Sequence, residues 1–130
     1  MNQEQLLSVR LRSAKIARRR QLESAWEQRL ADGIVVGQLT LRCGETDRNA
    51  FSQLLVMLAE AERLGQLPPA VPVTDRAGHV HTLSVPDLRA LLLAYGATYQ
   101  SLWVQKVQTH AAIEQATTME DVAAVPITFN

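Results

Sequence analysis

The chain has 130 residues, of which 47% are hydrophobic, and this is enough for the core of one compact domain and too much for a disordered chain. Its 13 basic and 13 acidic residues give a formal net charge of zero, which argues against a nucleic-acid binder as a description of the whole chain. No stretch approaches the roughly 18–20 apolar residues of a membrane helix. We expect no signal peptide, because no apolar segment follows the basic N-terminal residues, and a single cysteine, Cys43, excludes an internal disulfide.

Residues 3–31 predict one long helix. They contain no Gly or Pro and are rich in good helix formers, and Asp32-Gly33 ends the segment. A helix of about 28 residues is about 42 Å long, which exceeds the width of a domain of about 100 residues. We therefore expect part of it to project and to be covered by another chain. One side of this helix carries Leu7, Leu11, Leu22 and Trp26, and Val9 and Ile16 lie on another side.

A first hairpin and a second helix follow. Two short β-branched or aliphatic runs, 34–36 and 39–41, flank Gly37-Gln38, which predicts a two-residue type II′ turn. The next helix is predicted to start near Arg48, with Thr46 or Asp47 as its cap, and it carries a clean apolar stripe.

A second hairpin is predicted from residues 71–74 and 79–83 around the turn Asp75-Arg76-Ala77-Gly78. Ser84 then caps a helix over residues 85–115, and a short helical turn covers 119–124. The helix 85–115 is apolar on two sides, and therefore needs cover on two sides. Its second side includes Leu93, Val104 and Val107.

This order predicts an α+β fold: a long N-terminal helix followed by two β-hairpin–helix units, with antiparallel sheet packed on helices. We expect the two hairpins to join in one four-stranded sheet. The predicted organisation is an N-terminal helical arm, residues 1–32, and an α+β body, residues 33–130.

Charge is divided unevenly along the chain. Residues 1–30 contain seven basic and three acidic side chains, for a net +4, and the remaining residues carry −4. The run Arg18-Arg19-Arg20 has three interpretations: contact with phosphate or an acidic partner, a solvated helix face, or contact between the arm and an acidic body, its own or a neighbour's.

Chemistry-bearing motifs are few. Cys43 lies at a strand end, where it serves as a small buried hydrophobe. His79 and His81 alternate along a strand and would share a side, but two histidines alone are a weak sign of a metal site, and we favour surface histidines. No phosphate-binding loop or nucleophile motif is present. The sequence therefore favours a protein without enzymatic activity, cofactor or metal.

Several turn and cap patterns of the body recur together: residues 29–36, Thr46-Asp47-Arg48, the hairpin 73–83 running into residues 84–88, and residues 112–118, 121–122 and 125–127. On these patterns the segment from about residue 29 to residue 127 resembles a poorly characterised domain of unknown function found in tailed-phage and prophage proteins. The resemblance implies a place in the virion tail or in tail assembly, and it brings no catalytic residues.

The sequence thus leads to the prediction of a structural or adaptor component of a bacteriophage tail, located in the virion and in the host cytoplasm during assembly. Expected partners are other tail proteins and further copies of the chain, without nucleic acid or membrane. The alternatives are a tail-assembly chaperone that does not remain in the virion, a small metal enzyme using His79 and His81, and a basic arm bound to DNA. The predicted interface residues are Leu7, Leu11, Leu22, Trp26, Leu93, Val104 and Val107.

Overall fold

The computed structural model describes residues 1–130, and it confirms the α+β fold class with its long N-terminal helix and two hairpins. None of its helices combines the length and the apolar character that crossing a membrane requires. In chain order the elements are α1 (Gln3–Ala31), β1 (Ile34–Val36), β2 (Leu39–Leu41), α2 (Glu45–Arg63), β3 (Val71–Thr74), β4 (Val80–Leu83), α3 (Val85–Gln115) and α4 (Met119–Ala124).

The chain forms two compact units. Unit 1 comprises residues 1–29 and 101–130, and unit 2 comprises residues 30–100. The two hairpins belong to unit 2, whereas α1 and α3 each contribute residues to both units.

The first hairpin has the predicted two-residue turn. Val36 pairs with Leu39, and Gly37 has a φ of 60°, while no residue other than glycine has a positive φ. A positive φ at the first central position alone is the signature of a type II′ turn. Gly33, just before β1, also has a positive φ of 82°, and a Cβ there would lie 2.7 Å from the carbonyl oxygen of Leu41. Only glycine fits this position without displacing the backbone of β2.

The second hairpin differs from its prediction by one residue, because β4 begins at Val80 and leaves His79 in the turn. The backbone of His79 is already engaged there: its N–H donates to the Asp75 carboxylate (2.9 Å) and its carbonyl accepts from the Asp75 N–H (2.9 Å). These bonds close the turn before the β3–β4 pairing starts at Thr74 and Val80.

The expected four-stranded sheet does not form, and β1–β2 and β3–β4 are separate two-stranded sheets. The turn of the second hairpin approaches the first through Arg76 instead. Its N–H donates to the carbonyl of Thr40 (2.7 Å), and its Nε donates to the carbonyl of Ala31 (3.1 Å). On the second hairpin the contacts come from the turn and not from a strand, so the bond to Thr40 of β2 links the two hairpins without joining their strands into one sheet.

The helix starts follow capping rules, with one correction. The cap of α2 is Gly44, not Thr46 or Asp47, and the Asp47 carboxylate accepts the Gly44 N–H (3.1 Å). Asp47 therefore stabilises the start of α2 from its third position, so α2 begins at Glu45 instead of near Arg48. The start of α3 is as predicted, since Ser84 Oγ accepts the N–H of Asp87 (3.3 Å).

Aliphatic side chains from both hairpins, α2 and the first half of α3 form the core of unit 2. Tyr95 is the one aromatic residue buried in this core; its hydroxyl donates to the carbonyl of Arg42 (2.8 Å) and its ring meets Phe51 edge-on at 5.0 Å. Burial is the main cause that raises the pKa of the Tyr95 hydroxyl. The other buried core residues are Ile34, Leu41, Cys43, Leu58, Val73, Val85, Leu88, Leu91 and Leu92.

A smaller core holds unit 1 together. Leu22 of α1 packs with Ile113 of α3 and Val125, and Ile127 and Phe129 cover this group. Beside it the Trp26 ring lies 5.9 Å from the Trp103 ring and 5.4 Å from that of Phe129. The Lys106 ammonium lies over both indole rings, at 5.2 and 5.4 Å, and pairs with Glu23 (2.9 Å). These contacts clamp the second half of α1.

Candidate interaction surface

The leading part of α1 is a helix without cover from its own chain. Residues 1–10 are all exposed, although Leu7 (50% exposed) and Val9 (44%) are large and apolar. The helix nevertheless starts regularly, because the Asn2 and Gln5 side chains each accept the other residue's backbone N–H, at 2.8 and 3.0 Å. Residues 1–10 are therefore an ordered helical start that leaves apolar side chains in water.

The predicted interface residues of α1 divide into two groups. Leu7 is exposed and Leu11 is partly exposed, so both retain surface for a partner. Leu22 (0% exposed) and Trp26 (6%) are instead covered by unit 1 itself. Side chains that already pack inside their own unit have no surface left for another chain, and we revise the predicted interface by removing these two residues.

The predicted interface residues of α3 are exposed. Val104 and Val107, three residues apart in unit 1, are 42% and 49% exposed. Leu93, in unit 2, is 75% exposed. Exposed aliphatic side chains spaced by three or four residues are typical of a helix that packs against another element.

The arginine run does not act as one group. Arg18 donates from Nη2 to the carbonyl of Val125 and from Nη1 to Gln21 (2.7 Å), and Arg19 forms an ion pair with Glu114. Lys15 binds the same turn of α3 through the carbonyl of Glu114 (2.6 Å). Part of this basic stretch therefore contacts α3 and the segment after α4 within unit 1.

Three other basic residues of α1 remain without an ion pair or a hydrogen bond: Arg10, Arg12 and Arg20. Arg10 and Arg12 lie in or beside the uncovered part of the helix, whereas Arg20 is exposed further along it, and only Glu4 supplies an acid in the first 22 residues. The surface is thus positively charged and apolar at once, a combination that suits a partner with carboxylates beside aliphatic groups.

The two predicted histidines meet at one carboxylate. His81 Nε2 lies 2.8 Å from Asp75 Oδ2, and His79 Nδ1 lies 3.6 Å from the same oxygen. Two hydrogen bonds hold the pKa of Asp75 below its ordinary value. The bond with His81 has the larger effect, and the bond that the His79 N–H donates has the smaller one. The contacts tie the turn of the second hairpin together, and no group of three or more His, Cys, Asp or Glu side chains is arranged to hold a metal ion. Cys43 is buried in the core of unit 2, as expected.

Two features of this surface escaped the sequence analysis. Leu6, also exposed, was not assigned to an interface, and the arginines could not be divided into bound and unbound ones. The exposure of Leu6 had a signal in the sequence, because Leu6, Val9 and Ile16 lie on the second apolar side of α1. The division of the arginines had no such signal, since Glu114 is far from the arginine run in sequence.

One comparison with known proteins gave a match. A family model described as a domain of unknown function, DUF4376, matches residues 13–126. Neither the search of curated proteins nor the search of solved structures gave a match. The matched range includes most of both units and leaves out residues 1–12, which contain the uncovered start of α1, and residues 127–130.

Proposed function

The chain belongs to the family of the domain of unknown function DUF4376, and we propose that it is a non-enzymatic adaptor or structural component of a bacteriophage tail, at the baseplate or a fibre attachment point. The tail context comes from the resemblance described above. The adaptor role is supported chiefly by one observation, the ordered but uncovered start of α1 with Leu7 and Val9 in water. An exposed apolar helix of this kind gains stability when a neighbouring protein covers it.

The chain's candidate catalytic groups lend support to a role without chemistry. Cys43 is buried among aliphatic side chains, where a thiol lacks the electropositive, partly exposed surroundings of a nucleophile. His81 is held by Asp75 in the turn of a hairpin. Each group thus has a structural use in unit 2.

Exposed side chains on α3 offer a second surface. Val104 and Val107 in unit 1 would allow copies of the chain to associate, in line with the expected homo-oligomer. Sedimentation velocity at micromolar concentration tests this point. Self-association through α3 is supported if Val107→Asp abolishes the association and Val56→Asp on α2 leaves it intact (Val56 is 71% exposed). A monomer at every concentration would contradict it.

The test of the main proposal is mass spectrometry of purified virions from a phage that encodes the chain. We expect the chain in the tail fraction, and we expect Leu7→Asp to reduce its incorporation at least tenfold while Val56→Asp does not. Leu7→Asp places a charge on the uncovered helix without touching either core.

The alternative is a tail-assembly chaperone that is absent from the finished particle. It predicts the chain in complexes with unassembled tail protein and none in virions. A chain found in neither fraction, with normal particles formed without it, would contradict both proposals.

A further inference from the structure

The apolar residues at the start of α1 do not form one face. Successive residues of a helix are turned by about 100°, so Leu7 and Val9 point to sides about 200° apart. Both are exposed, and so is Leu6. A helix that lies on a lipid surface needs its apolar residues on one side and its charges on the other. A partner that covers Leu7 and Val9 together must instead enclose the helix from more than one side.

The charge of the same segment points to an acidic partner. Residues 5–22 contain no acid and six basic residues, of which Lys15, Arg18 and Arg19 bind other groups of unit 1. Arg12 lies three residues from Lys15, a spacing at which like charges destabilise a helix. The carboxylates of a partner would relieve this repulsion and would pair with the other two unpaired side chains, Arg10 and Arg20.

A second copy of the chain supplies this chemistry poorly. Two leading segments placed side by side would bring like charges together. Much of the acid in unit 2 is already used within it, in the pairs Asp47–Arg42, Glu60–Arg63, Glu62–Arg89 and Asp75–His81.

Nucleic acid is a poor match as well. Phosphates would neutralise the arginines but would leave Leu6, Leu7 and Val9 in water. No aromatic residue precedes Trp26, so the segment has no ring on which a base could stack.

We infer that the start of α1, residues 3–12, docks in an acidic, apolar cleft of a different protein, which encloses this part of the helix on opposite sides and extends along the exposed side of α1 to Arg20. This inference rests on the proposed function in one respect, that the partner is a tail protein. The aliphatic walls of the cleft cover Leu7 and Val9, and its carboxylates bind the three unpaired arginines. The geometry is that of a helix held in a groove.

Site-directed cross-linking of the full chain in lysates of phage-infected cells tests this inference. Because Cys43 is 1% exposed, Leu7→Cys and Val9→Cys each introduce one accessible thiol, which is labelled with a maleimide photo-cross-linker. Val56→Cys is the matched control on α2. After irradiation, mass spectrometry identifies the cross-linked peptides.

We expect both Leu7→Cys and Val9→Cys to cross-link to the same partner protein, in segments rich in Asp, Glu and aliphatic residues, and Val56→Cys to give no cross-link to those segments. The triple variant Arg10→Glu, Arg12→Glu, Arg20→Glu should lower the yield at least tenfold, and the corresponding lysine variant should restore most of it. Cross-links from only one of the two positions, to a second copy, or from neither position would overturn the inference.

Two binding assays address the other classes of partner. The full chain is mixed with vesicles of phosphatidylglycerol and phosphatidylcholine, or with a random-sequence DNA duplex, at about 0.15 M salt, where surface charges are screened beyond about 8 Å. If the chain binds vesicles or DNA and the triple glutamate variant abolishes this binding, the inference of a protein cleft is overturned. If the chain binds neither, the result agrees with the inference.

The cross-linking also separates the inference from the proposed function. An acidic cleft on a protein that is no tail component would contradict the proposed function and leave the inference standing. If the chain is present in virions but positions 7 and 9 give no cross-links, the proposed function stands and the inference is contradicted.

Discussion

The division of α1 into a clamped half and an uncovered half predicts unequal costs for the same substitution. Leu22 is fully buried against Ile113 and Val125, so Leu22→Ala removes a core side chain and leaves a cavity. Such truncations cost about 2.7–5 kcal/mol, and we expect about 3 kcal/mol. Leu7 is half exposed, and the better helix propensity of Ala offsets part of its loss, so Leu7→Ala should stay within about 0.5 kcal/mol.

Urea unfolding followed by tryptophan fluorescence measures the difference. Both tryptophans, Trp26 and Trp103, belong to unit 1, so their emission reports on the unit that contains Leu22. With a slope of about 2 kcal/mol per M urea, the midpoint should fall by about 1.5 M in Leu22→Ala and by at most about 0.25 M in Leu7→Ala.

If Leu22→Ala and Leu7→Ala lower the free energy of unfolding by the same amount, the division of α1 into a clamped and an uncovered half is refuted. A loss below about 1 kcal/mol in Leu22→Ala would also contradict it, since truncation of a buried leucine to alanine typically costs about 2–5 kcal/mol. Sedimentation velocity on the same samples serves as the control, because self-association would add a cover for Leu7 that the single chain lacks.

Three further outcomes follow from unit 2, each measured by chemical unfolding. Gly33→Ala should cost well over 1 kcal/mol, because its Cβ meets backbone at a positive φ, whereas Gly37→Ala, with open space around it, should cost about 1 kcal/mol. The lowered pKa of Asp75, due to His81, contributes stability that is present above the unfolded pKa of about 3.9 and is lost as pH falls through the lower folded pKa; Asp75→Asn should flatten this acid limb. The raised pKa of Tyr95 makes stability fall as pH rises above the unfolded pKa of about 10, and Tyr95→Phe should remove part of that fall.

Local signals predicted the elements well. Ser84 predicted the start of α3, and Gly37-Gln38 predicted the first turn, because capping and turn geometry depend on residues next to one another. The separation of the two sheets could not be predicted in this way. Strand pairing between the hairpins involves residues distant in sequence, and the bond from the Arg76 N–H to the carbonyl of Thr40 is a contact of this kind.

The candidate surface was predicted only in part. A period of 3.6 residues identifies an apolar side of α1, but it cannot tell whether the cover comes from the same chain or from another. Leu22 and Leu7 both belong to that side, and only the fold shows that the first is buried and the second exposed. The arginines present the same difficulty, since the Arg19–Glu114 pair joins residues far apart in sequence.

The continuity of α1 has a mechanical consequence. No glycine or proline interrupts residues 3–31, so the helix has no built-in hinge between its free start and the clamp at Leu22 and Trp26. The start is thus presented as a preformed rod, and capture of this rod need not order a loose peptide, which favours tight binding from a modest contact area. A force applied at the start of α1 would therefore be transmitted along the helix to the buried residues Leu22 and Trp26.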